Sequence, residues 1–216
     1  MKHIHLQVSI GTVAVTWNSK GLLTRLDWYA NSLKPQDTSQ ALLRWQAVVL
    51  ESQLNPPMLQ LMEQLKGYFF LGEPIGDIPW EAIDREGWSE FQEKVLRSIS
   101  AIPHGETRTY AWVARRAGKP PATRAVGQAL RKNPIPILIP CHRVVSEAAL
   151  GGFMGSNDPT QPEVQLKQKL LELETRYLNP TFAFLNPPHG LDVSGEELSF
   201  LCRSLQLFPS RARLSS

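Results

Sequence analysis

Cysteine is scarce: the 216-residue chain carries only Cys141 and Cys202, which excludes a disulfide framework and any multi-cysteine metal cluster. A reducing, cytoplasmic compartment is the simplest reading, with nucleoid association if the source is bacterial. Long apolar runs are also missing, and none approaches the length that crosses a bilayer. Residues 1–17 alternate apolar and polar side chains instead of forming the continuous apolar core of a secretory leader. No membrane partner is therefore expected. Repeats and low-complexity tracts are absent. What remains is 42% hydrophobic and 20% charged residues, ordinary for a soluble globular chain and enough for one large domain or two small ones.

The net charge is only +3, but it is unevenly spread. Between His104 and Arg143 stand eight basic residues (Arg108, Arg115, Arg116, Lys119, Arg124, Arg131, Lys132, Arg143) against one acid, Glu106, whereas nine acids and three bases lie between Glu51 and Lys94. A basic segment beside an acidic one suggests a surface that faces a polyanion, nucleic acid above all. A merely solvated charged face explains the asymmetry equally well, so charge alone decides nothing.

Ile4 to Val15 and Leu22 to Tyr29 read as two strands joined through the turn residues Asn18 to Gly21. Ser39 to Gln53 and Pro57 to Phe70 read as helices, the second with Leu61, Leu65 and Tyr68 on one stripe. Glu73 to Gly87, rich in Pro, Gly and acids, is the expected linker between a first unit, 1–87, and a second, 88–176. The second unit opens with a helix from about Ser89, stopped by Pro103-His104-Gly105. Thr109 to Ala117, the turn Gly118-Lys119-Pro120, and Pro121 to Lys132 then have helix-turn-helix punctuation, with Pro at the start of the second helix. Ile135 to Pro140 reads as a short buried extended run that leads into Cys141-His142-Arg143. Val164 to Glu174 is the last expected helix, and 177–216 is an extension without a clear structural pattern.

A nucleophilic cysteine reacts as thiolate, so it needs a lowered pKa or a base. Arg143, the basic segment and His142 could each serve Cys141. Cys followed by His is weak by itself, because most buried cysteines are inert. Its position, at the end of a proline-bounded apolar run beside a basic helix-turn-helix, raises its weight. A third group should orient the histidine. Glu174 is a candidate, since Leu170 and Leu171, one helical turn before it, put it near the buried stripe.

The run Arg124-Ala125-Val126-Gly127, Asn133-Pro134 and Ile139-Pro140-Cys141-His142-Arg143-Val144-Val145 resembles the active-site signature of the O6-alkylguanine-DNA alkyltransferases. Pro103-x-Gly105-Glu106-Thr107-x-Thr109-Tyr110 upstream, and Gly152-Phe153-x-Gly155 and Lys167-x-x-Leu170-Leu171-x-x-Glu174 downstream, fit the same family in order. The resemblance covers roughly Phe91 to Glu174, with a weaker extension at Tyr68-Phe69-Phe70-x-Gly72.

The resemblance implies a small α/β N-terminal domain, ribonuclease H-like with an antiparallel sheet, followed by a winged-helix-like, mainly α domain that holds the site. It implies irreversible transfer of an alkyl group from double-stranded DNA carrying O6-alkylguanine to Cys141, by a monomer and without a cofactor. Glu174, His142, a water and Cys141 would form the network that activates the thiol, and Tyr110 would give a proton to the departing base. Arg124 would act as the finger that fills the gap of an extruded nucleotide. The second helix would dock in the minor groove, where degenerate readout tolerates any flanking sequence. Its small residues Ala125, Gly127 and Ala129 would permit close approach, and Arg131 would join the DNA-facing set. Asn133 would tie the helix to the active-site segment, and the carbonyls of Cys141 and Val144 would meet the guanine amino group. Phe153, Met154 and Gly155 would form the pocket rim.

Several residues depart from the family pattern. Phe153 stands where a tyrosine is common and Met154 where a small residue is usual, which predicts a more apolar rim. The 156–166 connection is long. Some relatives hold zinc through N-terminal cysteines that this chain lacks, so no metal is expected, and His3 and His5 read as exposed strand residues. A non-catalytic relative that only binds alkylated DNA is the alternative, and Cys141 argues against it. A helix-turn-helix regulator would leave Pro140-Cys141-His142-Arg143 unexplained. A cysteine hydrolase would not need Arg124.

Overall fold

The first strand pair is where the chain departs earliest from its expected course. In the structure, a computed structural model that describes residues 1–178 apart from 9, 31–37, 53, 148 and 157, residues 2–29 form three strands: β1 (Lys2–Val8), β2 (Gly11–Trp17) and β3 (Leu23–Tyr29). They make one antiparallel sheet in the order β1-β2-β3. The single strand expected over Ile4 to Val15 is thus a hairpin, with Val8 paired to Gly11. Gly11 has φ 146°, and a Cβ there would come within 2.5 Å of the Tyr29 carbonyl oxygen. Only glycine fits that corner. His3 and His5 stand exposed on β1, their ring centres 5.4 Å apart.

The sheet is covered by helices α1 (Thr38–Glu51) and α2 (Pro56–Leu71), so this half is α/β with an antiparallel sheet. Asn55 starts α2 by accepting from the Met58 N–H at 3.0 Å, a side-chain cap on an otherwise orphan donor. Gly72, left-handed at φ 72°, ends it. Between these caps Met58, Leu61, Met62, Leu65, Tyr68 and Phe69 are buried. Their spacing makes one continuous apolar stripe, and that stripe carries the Tyr68 hydroxyl inward.

Residues 73–87, expected as a linker, run past the sheet and are fastened to it. The Asp84 N–H donates to the Leu23 carbonyl at 2.8 Å, Ile83 bridges Leu23, and the Asn18 amide donates to the Asp84 carboxylate at 2.9 Å. Ala82 and Ile83 are buried. From β3 the Leu26 N–H also donates to the Pro134 carbonyl at 2.9 Å. The sheet therefore braces the segment that leads to Cys141.

Helix α3 (Glu90–Ser100) is capped by Ser89. A two-residue strand β4 (Arg108–Thr109) runs directly into α4 (Tyr110–Arg116), whose first turn is capped by the Thr109 hydroxyl at 3.2 Å from the Trp112 N–H. Helix α5 (Thr123–Arg131) follows. It begins two residues later than expected, because Pro120 and Pro121 lie in a turn closed by the Ala122 N–H on the Lys119 carbonyl, 2.9 Å. Val126, Ala129 and Leu130 face the core, so Ala129 does not lie on the outer face expected for it.

The stretch 135–140 is buried, as expected, but it is not extended. The Ile139 N–H donates back to the Ile135 carbonyl at 3.0 Å, and Ile137 sits at φ 77°, a left-handed conformation that is costly for a β-branched residue. Burial of Ile135, Ile137, Leu138 and Ile139 outweighs that strain. Cys141–Arg143 form a single 3-10 turn, Val144–Val145 form β5 parallel to β4, and α6 (Pro162–Leu178) closes the described chain. Residues 179–216, with Cys202 and nearly all of the expected extension, lie outside the described residues.

Candidate active site

Cys141, His142 and Arg143 share one turn, and the tightness of that turn decides where each side chain goes. Cys141 faces a cavity of about 450 Å³ lined also by Tyr110, Arg124, Gly127, Arg131, Phe153 and Met154. His142 and Arg143 point the other way, into the protein, and meet Glu174 of α6. The His142 Nε2 lies 2.7 Å from Glu174 Oε1, and Arg143 donates from Nε and its terminal nitrogen at 2.9 and 3.0 Å. Arg143 also donates to the Ile102 carbonyl at 2.7 Å. It anchors Glu174, so it does not serve the thiol, which was one of the roles open to it.

Glu174 accepts two further bonds, from the Tyr68 hydroxyl at 2.9 Å and from the Gly105 N–H at 2.9 Å. Its side chain has 0% exposure, and such a carboxylate must be saturated with donors to stay charged. Burial pushes its pKa up, but the His142 hydrogen bond and the Arg143 guanidinium outweigh burial and hold the carboxyl well below the usual range. Burial pushes His142 down, against Glu174, so its imidazole is neutral at pH 7. With Nε2 donating to the carboxylate, Nδ1 is left as a bare acceptor, and among the described residues nothing donates to it.

The thiol itself is raised to about 11, chiefly by burial, with the Asn133 hydrogen bond and the Lys167 charge acting against it. Burial thus wins over the basic segment, and resting Cys141 is a protonated thiol. Asn133 donates to Cys141 Sγ at 3.2 Å and to the Ile139 carbonyl at 2.9 Å, while its own carbonyl accepts from the Ile135 N–H. One side chain therefore links the end of α5, the buried turn and the sulfur.

Sequence reasoning missed Lys167. It is fully buried, and its Nζ donates to the carbonyls of Val144, Leu150 and Gly152 at 2.6, 2.6 and 3.1 Å. Burial lowers its pKa to about 8. The Val144 carbonyl, expected to face substrate, thus already accepts from a buried protein donor. A usable signal existed: Lys167, Leu170 and Glu174 fall on one helical face, and charges on a buried stripe need partners. Tyr68 and His104 were also missed as neighbours of Glu174. His104 Nδ1 lies 3.9 Å from Glu174 Oε1, and contacts this distant in sequence leave no local pattern.

Tyr110 begins α4 and borders the cavity half-buried, its pKa raised by burial and by Cys141, so the phenol keeps its proton. Arg124 and Ala125 are exposed on α5, and Ala125 does not line the cavity. A Cβ on Gly127 would only just touch Tyr110, at 4.0 Å. Phe153 and Ser156 exchange backbone bonds of 2.8 and 3.0 Å around Met154 (φ 48°) and Gly155 (φ 94°). Two left-handed central residues mark a type I′ turn, which favours Asn-Gly. Methionine at its first centre is strained, and a Cβ on Gly155 would come within 3.0 Å of the Arg131 Nε.

The family described as 6-O-methylguanine DNA methyltransferase, DNA binding domain, matches residues 90–176. The constitutive methylated-DNA–protein-cysteine methyltransferase of Bacillus subtilis is 37% identical over 125 residues, covering 57% of this chain and 70% of that protein. The human methylated-DNA–protein-cysteine methyltransferase is 41% identical over 103 residues, 46% of this chain and 50% of its own. Among solved structures, the Mycobacterium tuberculosis O6-methylguanine methyltransferase superposes with TM-score 0.59 at 26% identity over 85% of this chain and 98% of its own. The M. tuberculosis protein OGT in complex with DNA gives 0.58 at 27% identity over 81% and 93%. A buried cysteine at a cavity beside α5, followed in the same turn by a histidine paired with a buried carboxylate, is a site suited to chemistry at sulfur. The chain belongs to the methylated-DNA–protein-cysteine methyltransferases.

Proposed function

We propose that the protein repairs double-stranded DNA by taking the alkyl group of an O6-alkylguanine irreversibly onto Cys141, as a monomer and once per molecule. The observation that carries this reading is the placing of Cys141 at a cavity rimmed by α5, with His142 and Glu174 paired behind it. Membership of the methyltransferase family makes DNA repair by alkyl transfer the activity, and the residue roles follow from chemistry. The His142 Nδ1, an acceptor without a donor among the described residues, takes the thiol proton through a bridging water, and Glu174 stabilises the imidazolium that results. Sulfur then attacks the alkyl carbon, the C–O6 bond breaks with its electron pair passing to guanine, and the Tyr110 phenol gives that base a proton. Nucleophile, base and acid are all side chains, so this displacement calls for no cofactor.

The base must leave the duplex to reach the sulfur. Exposed on α5 at the cavity mouth, Arg124 is suited to fill the vacated stack, with Ala125 and Gly127 letting α5 approach the minor groove. Residues 88–176 are read as a winged-helix-like unit and 1–87 as a ribonuclease H-like one. The family match at 90–176, described as a DNA-binding domain, falls within the first of these. Arg124→Ala should slow repair of duplex DNA at least about tenfold while leaving transfer from free O6-benzylguanine nearly unchanged, since a free base needs no extrusion. Single-turnover rates on both substrates check this. Equal losses on both would place Arg124 in the chemical step instead.

A further inference from the structure

Cys141 borders a second cavity. Beside the first lies a space of about 310 Å³ that shares Leu130, Arg131, Cys141 and Met154 with it, and whose other walls include Lys132, Asn133 and the β3 residues Arg25 and Asp27. Tyr110 and Arg124 line only the first cavity, so the base and its acid belong there. In an in-line displacement the groups on the reacting carbon spread across the S···C···O line. A methyl group needs no room in that direction, whereas any longer substituent must run sideways from the sulfur into the neighbouring space. The wall of that space is part apolar, from Leu26, Leu130, Pro134 and Pro136, but its charged groups are three cations, Arg25, Arg131 and Lys132, against one acid, Asp27. Asp27 holds the Nε of Arg25 at 2.6 Å, while the terminal nitrogens of Arg25 have no partner among the described residues. They form a free fork of the kind that binds carboxylates.

We propose that this second cavity receives the substituent of O6-alkylguanines larger than methyl and favours those ending in an anion, the O6-carboxyalkyl class. The inference rests on the alkyl-transfer reading above. The chemistry gives the cations a reason. A thiolate attacking a carbon that bears a carboxylate brings two negative charges together, and nearby cations offset that repulsion. The Sγ–C bond forms, the C–O6 bond breaks with its pair passing to guanine, the base takes a proton, and the product is S-carboxymethylcysteine. Arg25 comes from the sheet, so this places part of the adduct specificity in the first half of the chain.

The test uses three duplexes, carrying O6-methyl-, O6-carbamoylmethyl- and O6-carboxymethylguanine, with the wild-type chain, Arg25→Glu and Lys132→Ala. The amide matches the carboxylate in size without its charge. Arg25→Glu should slow carboxymethyl transfer about tenfold, and Lys132→Ala less. Methyl and carbamoylmethyl transfer should stay within about twofold, and the carboxymethyl effect should shrink as salt rises. Carboxymethyl transfer at the same rate in Arg25→Glu as in wild type, with methyl transfer intact, would overturn this inference alone. Absence of transfer from all three duplexes by the wild-type protein would instead overturn the alkyl-transfer reading beneath it.

Discussion

Cys141→Ser is expected to show no detectable alkyl transfer while still binding duplex DNA. An alcohol is a far weaker nucleophile than a thiol at neutral pH, and the proposed base, a neutral histidine, cannot ionise it in the ground state. The side chain is buried, at 6% exposure, and lies beneath α5 rather than on its outer surface. The residues proposed to face DNA, Arg124 and Arg131, are therefore untouched. A gel shift beside a single-turnover transfer assay separates the two properties. Transfer by the serine variant, or loss of DNA binding with the fold intact, would remove Cys141 from the role given to it.

Glu174→Gln should cost both stability and rate. The carboxylate accepts from Tyr68, His142, Arg143 and Gly105 in the buried interior, and neutralising it strands the buried Arg143 cation. Breaking one partner of a buried ion pair costs about 3–5 kcal/mol, a large share of the roughly 5–15 kcal/mol that holds a domain together. The imidazolium formed at His142 loses its counter-charge as well, so transfer should slow in whatever fraction stays folded. The pH dependence follows from the depressed carboxyl. A group whose folded pKa lies below its unfolded value, about 4.3 for Glu, stabilises the fold above that value. That stability disappears as pH falls below it. Denaturant unfolding at pH 7 and pH 4 should therefore show the wild-type chain losing stability on acidification more steeply than the glutamine variant. Matching midpoints at pH 7 would mean that Glu174 is no such anchor.

How much of this was legible in the sequence depends on distance along the chain. Segments whose meaning is local were readable. Asn133-Pro134 through Val145 pointed to Cys141 and His142, which share one buried turn, and the periodicity of α6 put Glu174 near the core, where it meets His142. The hairpin at Gly11 was misread because Ile4, Leu6, Val8 and Ile10 alternate without a break. The overlooked sign is a change of parity, since the large buried apolar residues are even-numbered in β1 (Ile4, Leu6, Val8) and odd-numbered in β2 (Val13, Val15, Trp17). A strand cannot switch faces without a turn or bulge. Ile135 to Pro140 looked extended because β-branched residues favour strands, yet tertiary burial forced Ile137 into a left-handed turn. Adjacency made Arg143 one of three groups that could serve the thiol, although a 3-10 turn sends neighbouring side chains in different directions. The contributions of Tyr68 and His104 depend on chain crossings that no local pattern encodes, whereas Lys167 shared a helical face with Leu170 and Glu174 that could have revealed it. The rim substitution at Met154 was visible, but its strained backbone needed coordinates.

The central claim is that Cys141 keeps the alkyl group. Intact-mass spectrometry of the full chain after incubation with duplex DNA carrying O6-methylguanine, followed by peptide mapping, tests it directly. The expected result is one added methyl group per molecule, stable with time and located on the peptide that contains Cys141. Protein that binds the DNA with its mass unchanged, or a methyl group found on Cys202 or elsewhere, would contradict it.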